Sequence, residues 1–117
     1  MQENGSYSVI TPEGCAAILW REATDENVAI AAAALKISAP DLLELGVIDE
    51  IVPEPAGGAH TAPAEAARNL AAAIGRHLDR LVKRTPAELR AARERKFAAI
   101  GNAYLTRGRV ENPAAIG

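Results

Sequence analysis

Residues that could take part in catalysis or binding cluster at a predicted helix start near the beginning of the chain. Thr11 and Pro12 have the residue types of a helix N-cap and a first helical position, and Glu13, Gly14 and Cys15 follow them. A helix N-terminus carries unpaired N–H groups and a partial positive charge. The amides of Gly14 and Cys15 are therefore candidates for facing an anion, and Glu13 for an acid or base. Plain capping is the competing interpretation, with Glu13 as a helix-terminal acid.

A second group of candidates is the loop Gly57-Gly58-Ala59-His60, which follows a proline-rich stretch. His60 is placed to approach a substrate or a metal ion. A single histidine without neighbouring Cys or His is a poor metal site, so we expect no metal in this chain. A loop histidine that fixes the turn is the alternative, and His77 is expected to be structural or solvated.

Seven elements must position these residues. Five helices are predicted from capping residues and helical periodicity, at 11–20, 26–35, 38–46, 63–84 and 85–105. Two short strands are predicted at Tyr7–Ile10 and Val47–Val52. Two strands do not form a stable sheet alone, and a helical crossover between them is typical of parallel strands. We therefore expect an α/β, helix-rich fold whose sheet is completed by other residues.

Composition indicates a packing-dependent chain. Of the 117 residues 26 are alanine, which favours helices but buries little area. The apolar Ile18, Leu19 and Trp20 predict that the first helix is buried. The second helix has little polar face, which predicts that it is buried as well. No apolar run approaches the roughly 20 residues that cross a bilayer, and no signal peptide is visible. One cysteine, Cys15, excludes an internal disulfide, so we expect a cytoplasmic protein.

Charge is unevenly distributed, although the formal net charge is only −2. Residues 1–75 hold eleven acids and three bases, whereas residues 76–109 hold ten bases and three acids. Such asymmetry can mark a surface for an anionic partner, and a solvated helix pair is the simpler interpretation. Nucleic acid is disfavoured because the net charge is negative and stacking aromatics are missing from this face.

Three ordered stretches resemble one known family. They are Tyr7–Trp20 (YSVITPEGCAAILW), Leu42–Pro55 (LLELGVIDEIVPEP) and Gly57–His60 (GGAH). Together they cover about half the chain and resemble the alpha subunit of the bacterial acetyl-CoA carboxylase carboxyltransferase. Residues 61–105 resemble that family only in forming two charged amphipathic helices.

The resemblance implies the C-terminal part of a crotonase-like domain over residues 1–60, a terminal helical pair over 61–105 and a flexible tail over 106–117. It also implies transfer of a carboxyl group from carboxybiotin to acetyl-CoA, giving malonyl-CoA for fatty-acid synthesis. Met1 corresponds to an internal position of the family, so we expect a fragment that is inactive alone. The candidate substrate-binding residues are Gly14, Cys15, Gly57, Gly58 and His60, and Glu13 is the one catalytic candidate.

The resemblance implies three partners: the beta subunit, the biotin carboxyl carrier protein and a second alpha subunit. For the basic helices, the phosphates of coenzyme A and an acidic partner protein are the candidate partners. Two rivals stay open. One is a crotonase-like hydratase or isomerase remnant that uses Glu13, and the other is a non-catalytic helical interaction module.

Overall fold

Helices dominate the computed structural model, which describes residues 1–102. They are α1 (Pro12–Trp20), α2 (Asp25–Leu35), α3 (Ala39–Glu44), α4 (Pro63–Leu81) and α5 (Pro86–Ala99). None of these five helices is long and apolar enough to cross a membrane. The helix-rich class is confirmed, whereas the predicted helix end at residue 105 and the tail 106–117 lie outside the described residues.

Four of the helices begin at a side-chain cap, as the sequence predicts. The hydroxyl oxygens of Thr11, Thr24, Ser38 and Thr85 each accept a hydrogen bond from the backbone N–H three residues later. Each cap satisfies one of the N–H groups that lack an intrahelical partner at a helix start. At α5 the carboxylate of Glu88 also accepts from the backbone N–H of Thr85, at 2.7 Å, which completes a capping box.

The two predicted strands are wrong as continuous elements. Within residues 1–102 only isolated bridges occur, one parallel between Gln2 and Val52 and one antiparallel between Ser6 and Ser38. The end of the 47–52 segment therefore pairs with the first residues of the chain, and the segment 7–10 does not pair with it. Each pairing stops after one bridge, so no ladder forms within residues 1–102.

The core of the described residues consists of small side chains. Seven apolar residues are buried: Ala16, Ala31, Ala39, Leu42, Val52, Ala66 and Ala73. Helices α1 and α2 form the most extensive helix pair, and each has one buried residue, an alanine. Alanine methyl groups remove little apolar area from water, so this core stabilises the fold weakly.

The predicted burial of α1 and α2 is wrong for this chain. Ile18 and Leu19 of α1 are 71% and 64% exposed, and Ile30 of α2 is 49% exposed. Only Trp20 is partly covered at the end of α1. The two helices pack on each other, and no other described helix covers their outer sides. These apolar side chains therefore form a surface that is free in the described chain.

The two C-terminal helices extend away from this region. Leu70, Ile74 and Leu78 follow one face of α4, as predicted, and border a cleft against the segment 47–52. Helix α5 has no buried residue, and it makes little direct contact with α4. Packing between the two helices of the expected terminal pair is therefore weak, because α5 is rich in charged residues and lacks an apolar stripe. The Cα radius of gyration is 18.1 Å, whereas a compact chain of this length has about 13 Å.

Candidate functional site

The start of α1 is occupied by its own cap. The N–H of Gly14 donates to Thr11 Oγ1 at 3.1 Å, and the N–H of Cys15 donates to the Thr11 carbonyl oxygen at 2.9 Å. Neither amide is open to an anion unless the cap breaks. Glu13, the neighbouring residue, is exposed and forms no ion pair in the described part of the chain. Local capping therefore accounts for the geometry of this turn.

The glycine at position 14 is explained by close packing. A Cβ atom there would lie 3.1 Å from Ile10 Cγ1 and 3.4 Å from Thr11 Oγ1. The chain before α1 thus folds back against the first helical turn, and a side chain would push it away. Cys15 is half-buried in the same turn and has a free thiol.

The loop 53–61 is organised by a carboxylate that the sequence analysis did not single out. Glu54 accepts hydrogen bonds from the backbone N–H of Asn4 (3.1 Å), from Asn4 Nδ2 (3.2 Å) and from the N–H of Ala59 (3.0 Å). The side-chain amide of Asn4, followed by its backbone N–H, lowers the pKa of Glu54 because both donate to the charged form. Glu54 thereby ties the first residues of the chain to this loop.

The two loop glycines have backbone conformations that favour glycine. Gly57 has φ +86° and Gly58 has φ +97°. A Cβ at Gly58 would lie 3.2 Å from His60 Nδ1, so the imidazole packs over the bare glycine. The turn therefore determines the position of His60. This residue is exposed and borders an open depression of about 560 Å³.

The predicted site residues fall into two places. Gly57, Gly58 and His60 line the same depression together with Glu54 and the first residues of the chain. Glu13, Gly14 and Cys15 are absent from its lining. The structure thus brings together three of the five substrate-binding candidates and leaves the α1 turn apart. Within residues 1–102 no group of three or more His, Cys, Asp or Glu side chains is placed to hold a metal ion.

A second polar centre joins the segment 47–52 to both C-terminal helices. The carboxylate of Glu50 accepts a hydrogen bond from Arg76 and contacts His77 Nε2 at 2.8 Å, while Arg80 approaches His77 Nδ1 at 3.0 Å. The hydrogen bond from Arg76 is the largest influence on Glu50, and it lowers the pKa of that carboxyl. The neighbouring Asp49 accepts from Lys96 Nζ of α5 at 2.8 Å.

This cluster closes one side of the cleft against α4. The cleft has a volume of about 380 Å³ and is lined mainly by apolar residues of the segment 47–52 and of α4, with Glu50 and His77 among the lining residues. The sequence predicts a structural or solvated role for His77, and its contacts with Glu50 and Arg80 are structural. No local pattern predicts the cluster, since Glu50 and Arg76 are 26 residues apart.

The chain is similar in sequence to proteins of one known family. A model of the acetyl co-enzyme A carboxylase carboxyltransferase-like family matches residues 1–101. The acetyl-coenzyme A carboxylase carboxyl transferase subunit alpha of Rhizorhabdus wittichii is 56% identical over 101 residues, which are 86% of this chain and 32% of the relative. The Deinococcus radiodurans subunit of the same name is 50% identical over 101 residues, 86% of this chain and 31% of the relative.

A relative of the same name from Parasynechococcus marenigrum extends the match almost to the end of the chain. It is 47% identical over 116 residues, which are 99% of this chain and 34% of the relative. The chain therefore spans about a third of the length of the curated relatives that it matches. Because the family model covers residues 1–101, the chain belongs to the acetyl co-enzyme A carboxylase carboxyltransferase-like family.

Proposed function

We propose that this chain works as the C-terminal part of a carboxyltransferase alpha subunit of acetyl-CoA carboxylase. The observation that carries the proposal is 56% identity over 101 residues to a protein of that name. In the reaction, the bond between the ureido nitrogen of carboxybiotin and its carboxyl carbon breaks. A new carbon–carbon bond forms at the methyl carbon of acetyl-CoA, and the methyl proton passes to the biotin. The product, malonyl-CoA, feeds fatty-acid synthesis.

Loss of the methyl proton leaves an enolate, and its negatively charged oxygen calls for preorganised N–H donors. The amides of Gly14 and Cys15 are engaged in the α1 cap, so they are not the donors that this oxygen needs. Gly57, Gly58 and His60 form the substrate-facing wall, because they share one depression whose loop is fixed through Glu54. The chain is inactive alone, and the donors for the enolate come from the rest of the alpha subunit.

We also propose the architecture and the partners of this chain. Residues 1–60 belong to a crotonase-like domain, and helices α4 and α5 form its terminal helical pair. The exposed apolar side chains of α1 and α2 support the proposal that this part of the chain packs against further polypeptide. The partners are the beta subunit, a second alpha subunit and the carrier protein that brings carboxybiotin, all in the cytoplasm.

A segment exchange tests this function. Residues 1–101 replace the matching segment of the Rhizorhabdus wittichii subunit, and the chimera is assayed with that organism's beta subunit for carboxyl transfer from malonyl-CoA to biocytin. We expect activity from the chimera and none from residues 1–117 alone. A chimera that folds and binds the beta subunit but transfers no carboxyl group contradicts the proposal.

Point variants in the chimera test the wall. His60→Ala is expected to raise KM more than it lowers kcat, because His60 borders the depression without holding the loop together. Thr61→Ala is the matched control. Its hydroxyl donates within the loop to the carbonyl oxygens of Ala56 (2.9 Å) and Gly58 (2.7 Å), so its loss changes loop geometry and thermal stability. Equal effects of the two variants on every readout would assign His60 to the loop scaffold.

The same preparations separate the two rivals. Hydration of crotonyl-CoA by residues 1–117, lost in Glu13→Gln, would identify a hydratase remnant. Binding of the beta subunit by residues 1–117, together with an inactive chimera, would identify a non-catalytic interaction module.

A further inference from the structure

The turn at the beginning of the chain contains an asparagine followed by a glycine. Asn4 is exposed and Gly5 is half-buried, and no other asparagine of the 117-residue sequence precedes a glycine. Asparagine is a thermolabile residue, because the backbone nitrogen of the next residue can attack its side-chain amide. Glycine has no Cβ atom to obstruct this approach, and its backbone rotates freely into the reactive geometry. Asn4 and Gly5 therefore have the residue types of a deamidation site.

The reaction at such a site needs only water as a second reactant. The backbone nitrogen of Gly5 loses its proton and attacks the side-chain carbonyl carbon Cγ of Asn4. A nitrogen–carbon bond forms and the bond from Cγ to Nδ2 breaks, so the side-chain nitrogen leaves as ammonia with the proton that Gly5 gave up. The product is a five-membered succinimide ring. Water then opens the ring at either carbonyl carbon and leaves aspartate or isoaspartate at position 4.

Three hydrogen bonds oppose this attack in the folded chain. The N–H of Gly5 donates to the carbonyl oxygen of Gln2 at 3.0 Å, so the attacking nitrogen is engaged in a turn. Asn4 Nδ2 donates to Glu54 Oε2 at 3.2 Å, and the backbone N–H of Asn4 donates to Glu54 Oε1 at 3.1 Å. The carboxylate of Glu54 thus holds both the leaving group and the backbone of Asn4, and ring closure requires these contacts to break.

This protection depends on the loop 53–61 staying against the first residues of the chain. Glu54 is held in the loop by the N–H of Ala59, which donates to Oε2 at 3.0 Å, and its own N–H donates to Glu3 Oε2 at 3.3 Å. When the loop moves away, Asn4 therefore loses its partners together. We propose that Asn4 is a deamidation site at which Glu54 holds the reaction back, and that the reaction begins when the loop 53–61 detaches.

The products prevent the loop from attaching again. Aspartate at position 4 places a second carboxylate beside Glu54 where a donor NH₂ group was, and the like charges repel. Isoaspartate also inserts its Cβ atom into the main chain, which displaces the neighbouring N–H of Glu3 from the carbonyl oxygen of Val52, now at 2.9 Å. A reversible opening thus becomes permanent. Its effect on the wall that contains His60 rests on the proposed function, whereas deamidation itself does not.

Peptide mapping of the complete chain by mass spectrometry tests the proposal, and this assay needs no substrate or beta subunit. The chain is incubated at mildly alkaline pH, in native buffer and in guanidinium chloride, and then cleaved with trypsin. The first tryptic peptide ends at Arg21 and contains Asn4 as its single asparagine. We expect Asn4 to react at least roughly tenfold more slowly in the native chain than in the unfolded one, because the loop must open first. Asn27, which precedes the β-branched Val28, is the internal control and should stay unmodified.

Variants separate local protection from global stability. Glu54→Ala removes both acceptor oxygens, and we expect the native rate at Asn4 to rise towards that of the unfolded chain. Thr85→Ala is the matched control, because it removes the α5 cap without touching Asn4, and its rate should stay close to that of the wild type. Circular dichroism verifies the helix content of each variant, and Glu54→Gln replaces Glu54→Ala if that variant unfolds.

Three results would overturn the proposal. One is an Asn4 that reacts as fast in the native wild type as in guanidinium chloride, since the fold would then give no protection. Another is an equal rise in Glu54→Ala and Thr85→Ala, which would assign the reaction to global unfolding. The third concerns Asn4→Asp, the mimic of one product, in which we expect faster hydrogen exchange of the Glu3 amide, and unchanged exchange would show that the modification does not release the loop.

Discussion

Leu42 is the largest side chain in the buried set, and its truncation gives the sharpest test of the core. It is 5% exposed in α3, whereas the adjacent Leu43 is 41% exposed. The carbonyl oxygen of Leu42 also accepts hydrogen bonds from the N–H groups of Val47 (2.9 Å) and Ile48 (3.3 Å). This residue therefore links α3 to the segment that anchors the C-terminal helices.

We expect Leu42→Ala to lower the free energy of unfolding by about 2–3 kcal/mol. Buried leucine truncations range from about 2 to 5 kcal/mol, and the alanine-rich surroundings place this site at the lower end. Leu43→Ala is the matched control, with an expected loss below about 1 kcal/mol because much of its side chain already contacts water. Since small domains have total stabilities of only about 5–15 kcal/mol, the first change removes a large share.

Urea denaturation followed by far-ultraviolet circular dichroism measures both variants. Hydrogen exchange of the Val47 and Ile48 amides adds a local readout, and we expect these amides to exchange faster in Leu42→Ala than in Leu43→Ala. Equal losses of stability in the two variants, or unchanged exchange at both amides, would refute the assignment of Leu42 to the core.

Three further predictions concern glycines, a helix cap and pH. Gly75→Ala should stabilise the chain by about 1 kcal/mol in thermal unfolding, because Gly75 lies inside α4 and a Cβ there meets no atom within 4 Å. Gly58→Ala should destabilise the chain, because the backbone φ of Gly58 is +97°, which strains a residue with a side chain. Thr85→Ala should cost about 1 kcal/mol of stability in urea denaturation, since it removes the α5 cap, and Thr85→Ser should retain most of it. The hydrogen bond from Arg76 holds the folded pKa of Glu50 below its ordinary value, so the ionised carboxylate stabilises the fold above that ordinary pKa and the contribution is lost as pH falls through the folded pKa. The urea midpoints of wild type and Glu50→Gln should therefore differ at pH 7 and converge at pH 3.

The helices were predictable because their start signals are local. Thr24, Ser38 and Thr85 each cap a helix whose N–H groups lie within three residues, so a few neighbouring positions contain the whole interaction. The positive φ of Gly46, +71°, likewise agrees with the predicted end of α3. In each case the neighbouring residues suffice to specify the geometry.

Strand pairing, burial and the polar centres were not predictable in the same way. The alternation over 7–10 predicts a strand, but a strand also needs a neighbour, and the bridge at Ser6 joins Ser38 instead. The apolar character of Ile18 and Leu19 predicts burial, yet nothing in residues 1–102 covers them. Glu54 was missed because its partner, Asn4, is 50 residues away in the chain.

Asp49 and Glu50 are consecutive residues, yet they bind different helices, α5 through Lys96 and α4 through Arg76. A substitution in this single dipeptide therefore affects the attachment of both helices, even though α4 and α5 barely contact each other.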